Sequence, residues 1–163
     1  MKRIKQALIA AAITLLQGCS MEEEPKTTVS NDLAKLRETI NLSIPAKAAR
    51  WEIFGTPEYH GGVPGPTDYI TLVAELQAEK SWFDEIKSVT GETFIAPEAA
   101  RPWLTSEFRQ ILDQNKNSNV DLSGKANCRK FSSILKKTGK PVEGFVCGSS
   151  DSVLLYLTLW SEH

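Results

Sequence analysis

The chain has 163 residues, a formal charge of −1, 41% hydrophobic residues and three cysteines. That length suits one domain, and the apolar share excludes a wholly disordered chain. The near-balance of charge removes the main electrostatic argument for a dedicated nucleic-acid binder, and no apolar run reaches the ~18 residues of an ordinary membrane-spanning helix.

The first residues read as an export signal. Lys2, Arg3 and Lys5 form a basic start, and residues 7–16 (ALIAAAITLL) form an uncharged, mostly apolar run. Such a run is long enough for a signal sequence and too short to span a bilayer. A buried amphipathic helix would instead interleave polar residues at helical spacing. Leu16-Gln17-Gly18-Cys19 then follows. It resembles the lipobox of bacterial lipoproteins, in which leucine at −3 and a small residue at −1 precede the cysteine. The resemblance covers about the first twenty residues and implies cleavage before Cys19 and acylation of that cysteine with fatty chains such as palmitate. Two or three chains hold a protein stably on a membrane, whereas one holds it weakly. Ser20 stands where enterobacterial-type sorting reads aspartate as an inner-membrane signal; if the host is Gram-negative, this implies the outer membrane, with the domain facing the periplasm.

The expected organisation is a signal peptide over residues 1–18, the lipidated cysteine and a tether over 19–31, and one domain over 32–163. Residues 20–31 (SMEEEPKTTVSN) are polar, acidic and interrupted by Pro25, the composition of a tether. With Cys19 used by lipid, Cys128 and Cys147 form an even pair in an exported protein, and a disulfide is the plain inference. Their spacing lacks a CxxC, and no histidine is near in sequence, which disfavours a metal or redox pair.

In chain order, Leu33, Leu36 and Ile40 share a helical face, with Ser30 or Asn31 as the N-cap. Residues 48–56 (AARWEIFGT) alternate as a strand, with Phe54 falling on the polar side. Residues 69–78 alternate more clearly and predict a strand with one covered face. Residues 81–89 read as a helix capped by Ser81, and residues 102–115 as a stronger one with Leu104, Phe108, Ile111 and Leu112 buried. Residues 115–125 read as loop. Residues 127–138 read as a helix with Cys128, Phe131 and Leu135 on one face, stopped by Gly139. Residues 142–147 and 152–160 form a hairpin around Gly148-Ser149-Ser150-Asp151. The last strand is apolar on both faces and so belongs inside its sheet. The expected fold class is α+β: an antiparallel sheet of about four strands covered by helices, with one disulfide.

Two regions offer contact chemistry. The connection over residues 57–68 is too long for a tight turn, and its Tyr59 and His60 combine aromatic faces with polar tips. Lys136 and Lys137 lie in a basic stretch, residues 116–140, with seven basic residues against one acid. This stretch is either a solvated helix face or a site for anionic headgroups or an acidic partner. Residues 68–98 carry the opposite bias, seven acids against two lysines.

Catalytic signatures are weak. His60 and His163 form no HxxxH or HExxH pair, and the serines at 149, 150 and 152 form no GxSxG elbow. Trp51, Trp82, Trp103 and Trp160 lie near apolar faces and read as core. These observations point to a lipid-anchored, non-enzymatic protein-binding module without cofactor or metal, either an inhibitor or immunity protein or an envelope accessory. Binding of lipid or glycan through the basic helix face is the second reading, and a hydrolase centred on His60 the third.

Overall fold

The computed structural model describes residues 28–56, 67–85, 93–95, 99–114, 119–121 and 127–161. Their elements in chain order are α1 (Leu33–Thr39), β1 (Ala48–Thr56), β2 (Tyr69–Gln77), α2 (Lys80–Glu85), β3 (Thr93–Ile95), α3 (Ser106–Asp113), β4 (Asn119–Asp121), β5 (Cys128–Ile134), β6 (Pro141–Gly148) and β7 (Ser152–Ser161). Among the described residues strand outweighs helix, 47% to 19%. The expected α+β class is therefore corrected to a mostly-β fold. Five strands form an antiparallel sheet in the order β1-β2-β7-β6-β5, and β3 and β4 form a separate two-stranded pair.

The main source of the correction is the stretch expected as a helix over residues 127–138. It forms β5 and the turn after it, paired along β6 from Cys128↔Cys147 to Ile134↔Pro141. Cys128 and Phe131 point to opposite faces of the sheet instead of sharing a helical face. Gly139 ends no helix; it adopts φ 70° in the β5–β6 turn, where its amide donates to the Leu135 carbonyl at 2.7 Å. That left-handed conformation suits a glycine. Part of the expected loop over 115–125 forms β4.

The other strands follow their apolar alternation, and β7 lies inside the sheet as its two apolar faces require. Both faces of the sheet are covered, not one. On the first face, Trp51, Leu72, Ala74, Leu76, Val146, Leu155 and Leu157 pack with Leu36, Ile40 and Ile44 from the α1 segment. On the second, Phe54, Val73, Phe145, Leu154 and Tyr156 pack with Ala99, Leu104, Phe108 and Leu112 from the α3 segment.

The α1 segment also covers both sheet edges. Ser30 exchanges two backbone hydrogen bonds of 2.8 Å with Trp51 on the outer side of β1. Ten residues later Ile40 bridges Leu135 beyond β5, and the Asn41 amide donates to the Ile134 carbonyl at 2.9 Å. Open edges invite pairing with other chains, so one strap blocks part of each. Its helix starts at Asp32, whose carboxylate accepts from the Lys35 amide at 2.9 Å, rather than at Ser30 or Asn31. Ser30 contributes one step earlier, accepting from the Asp32 amide at 3.2 Å.

Candidate functional site

Cys128 and Cys147 are disulfide-bonded, as their pairing in the sequence implied. They face each other across β5 and β6, with a Cα–Cα distance of 4.0 Å. Both are buried against the α3 segment, so the bond fixes an edge strand to its neighbour. Asn127 and Gly148 flank the pair, and the Gly148 amide donates to the Asn127 carbonyl at 2.8 Å.

This region opens into a cleft of about 260 Å³ lined by Phe83, Glu107, Asn127, Gly148, Ser149 and Ser150. Phe83 is buried and supplies an apolar floor. The Ser149 hydroxyl donates to Glu107 Oε2 at 2.7 Å, tying the β6–β7 turn to the first turn of α3. The cleft thus joins an apolar base to a carboxylate and hydroxyls at the rim. A carboxylate bonded directly to serine, without a histidine between them, is not the arrangement that activates the hydroxyl. Its natural use is to receive hydrogen-bond donors or a cation. Sequence reasoning missed this cleft because its walls come from four separate stretches; the Gly-Ser-Ser-Asp turn was visible only as a turn.

A second polar group lies on the α3 face. Glu52 is 5% exposed and Arg101 8%. The Trp103 indole nitrogen donates to Glu52 Oε2 at 2.8 Å, and Arg101 Nε lies 3.6 Å from the same oxygen. The Arg101 guanidinium is 3.4 Å from the Phe54 ring centre, while Arg50 sits 5.4 Å over Trp103. Glu75 accepts from the Thr105 amide at 2.9 Å at the start of α3. Each bond joins β1 or β2 to residues 101–105, so the group fastens the covering segment to the sheet. Phe54 on the polar side of β1 was the sequence signal that this face is covered.

Tyr156 lies in the same layer, stacked on Phe145 with ring centres 4.9 Å apart. Burial pushes its phenol pKa up to about 12, opposed by the neighbouring Thr158 and Thr71 hydroxyls and reinforced by Tyr69. On the surface, a hydrogen bond from Lys47 holds the Glu79 carboxyl below its usual range.

Of the expected site residues, Cys19, Tyr59 and His60 lie outside the described residues. Lys136 and Lys137 are exposed in the β5–β6 turn, not on a helix face. They share that end of the sheet with Lys140. Trp51 is core, Trp82 and Trp103 are half-buried, and Trp160 is 43% exposed, against the expectation that all four are core. Among the described residues no group of His, Cys, Asp and Glu could hold a metal ion. No family model, curated protein or solved structure matches the chain.

Proposed function

We propose that this chain is a bacterial lipoprotein, anchored through Cys19 in the outer membrane, whose periplasmic domain binds another protein and catalyses no reaction. The observation that carries the anchor is the basic start, the apolar run and Leu16-Gln17-Gly18-Cys19. Among the described residues no helix is long and apolar enough to cross a membrane. Ser20 supports the outer membrane as the destination, and the Cys128–Cys147 disulfide fits an oxidising compartment. Cleavage before Cys19 removes Lys2, Arg3 and Lys5, so the mature chain is more acidic than the whole sequence.

The cleft beside the disulfide supports protein binding. Its volume of about 260 Å³ falls below the range of ~300–1,000 Å³ typical of small-molecule sites. It suits one inserted side chain of a partner, and the Glu107 carboxylate favours a cationic one, lysine or arginine. The partner belongs to either of two classes, a toxin or hydrolase held inactive or a component of envelope assembly.

Metabolic labelling with a fatty acid tests the anchor: label on the wild-type chain is lost in Cys19→Ser. Crosslinking in intact cells followed by purification tests the binding. A stoichiometric protein partner, lost in Glu107→Lys, is the expected result. Labelling without any crosslinked partner retains the anchor and removes the binding role.

A further inference from the structure

The three large hydrophobic side chains exposed among the described residues are Ile70, Ile134 and Trp160. They lie at one end of the sheet. Ile70 opposes Trp160 on β2 and β7, and Ile134 opposes Pro141 where β5 meets β6, two residues beyond the Glu143↔Thr158 rung. The β5–β6 turn at this end presents Lys136, Lys137 and Lys140, all exposed. The described acids nearby are Glu38 on α1, Asp68 beside Thr56 and Glu143 on β6; Lys130 lies 3.5 Å from Glu143 and pairs with it, which leaves the three turn lysines against two acids. Trp160 and Ile70 belong to the two strands that are best covered elsewhere, so their exposure marks the point where the covering layers stop.

An exposed tryptophan beside aliphatic side chains and a lysine cluster matches the chemistry of a lipid headgroup boundary. Indole rings settle there, and lysines attract anionic headgroups. The lipid brings the membrane close enough. Ser30 bonds β1 at Trp51, four residues or about 13 Å along the strand from the Gly55↔Ile70 pair. The nine residues between Ser20 and Thr28, with Cys19 before them, can extend to about 30 Å. That reach allows either end of the sheet to meet the membrane, and charge chooses between them. The cleft end presents Glu79, Glu107 and Asp151, all exposed, against Lys47, which pairs with Glu79 at 2.8 Å, and the half-buried Arg129, so it offers anionic lipid no lysine cluster.

We infer that the end of the sheet bearing Lys136, Lys137, Lys140, Ile134, Ile70 and Trp160 docks on an anionic membrane surface. This rests on the lipid-anchor reading and adds an orientation to it: the cleft then faces away from the membrane, toward the partner.

The test uses the full acylated protein reconstituted in vesicles of phosphatidylethanolamine and phosphatidylglycerol with brominated acyl chains. Flotation reads the anchor; tryptophan quenching reads docking. The expected result is strong quenching that disappears in Trp160→Phe and weakens with added salt. Changing Lys136, Lys137 and Lys140 together to glutamine lowers the docking equilibrium roughly a hundred-fold and removes the quenching while flotation persists. Flotation with equal quenching in wild type and Trp160→Phe, or with none, overturns the inference and leaves the anchor standing. Concentration-dependent dimers abolished by Trp160→Phe would assign the patch to a second copy and likewise overturn it. If the purified chain carries no acyl group and does not float, the anchor reading fails. The same vesicles added to that chain then decide docking: salt-sensitive quenching of Trp160 sustains it, and unchanged emission overturns it.

Discussion

At one end of the sheet the β6–β7 turn, Asn127 and the start of α3 surround a cleft with a carboxylate, hydroxyls and a phenylalanine floor. At the other, the β5–β6 turn carries three exposed lysines, and β2 and β7 leave Ile70 and Trp160 uncovered. The strands between them are buried on both faces. Side chains in that middle stretch are chosen by packing, whereas those at the ends are free of it. The ends differ in sign as well as shape, and a domain held by one tether can turn only one of them to a surface. The sheet thus separates two ends of different surface chemistry, and the proposed anchoring and binding would use one each.

The largest expected effect breaks the sheet itself. A Cβ at Gly144 would overlap the Tyr156 carbonyl oxygen on the neighbouring strand. Backbone in a central sheet cannot move aside cheaply, so Gly144→Ala should cost roughly 3 kcal/mol or more, read by thermal or urea unfolding, with both ends lost together. Replacing Cys128 and Cys147 by alanine should cost about 3 kcal/mol on the chain-entropy account. The disulfide flanks the cleft, so amide hydrogen exchange should rise at Asn127 and Gly148 more than at the β5–β6 turn. An equal rise at both ends would show that the bond does not favour the cleft.

Trp103→Phe removes the indole donor to buried Glu52 and should cost about 1–3 kcal/mol, measured as a fall in urea midpoint at unchanged slope. The raised Tyr156 pKa gives a pH signature. The unfolded phenol ionises near the ordinary value while the folded one stays protonated, so its contribution is complete below about pH 10 and is lost as pH rises toward about 12. The loss amounts to about 2–3 kcal/mol, and unfolding of Tyr156→Phe should be flatter across that window. The smallest stability effect belongs to Lys136→Gln with Lys137→Gln, within about 0.5 kcal/mol, although the same change removes charge from one end alone.

Much of the sheet was legible because β1 and β2 alternate and because β6 and β7 are apolar runs on either side of a Gly-Ser-Ser-Asp turn. The disulfide was legible from parity once Cys19 was set aside. β5 was not, because Cys128, Phe131 and Leu135 fit a helical spacing as well. As an edge strand rich in serine and basic residues, β5 buries few side chains and shows weak alternation. The buried Glu52 group was hidden for a related reason: alternation distinguishes two faces and does not reveal that a distant segment covers the polar one. Trp160 was read as core because its strand is apolar throughout; where the covering layers end depends on α1 and α3, not on β7. The cleft joins residues as distant as Phe83 and Ser150, and no local pattern connects them.

The decisive measurement is the orientation of the acylated chain on a membrane. Lys137 and Ser150 occupy opposite ends of the sheet, roughly 25–30 Å apart at the strand rise. Environment-sensitive labels on Lys137→Cys and on Ser150→Cys, each in the acylated full chain on anionic vesicles carrying a lipid-borne quencher, report which end meets the membrane. Docking through the lysine end gives quenching of the label at 137 and a bright label at 150. Equal quenching at the two positions, or the reverse order, would contradict it.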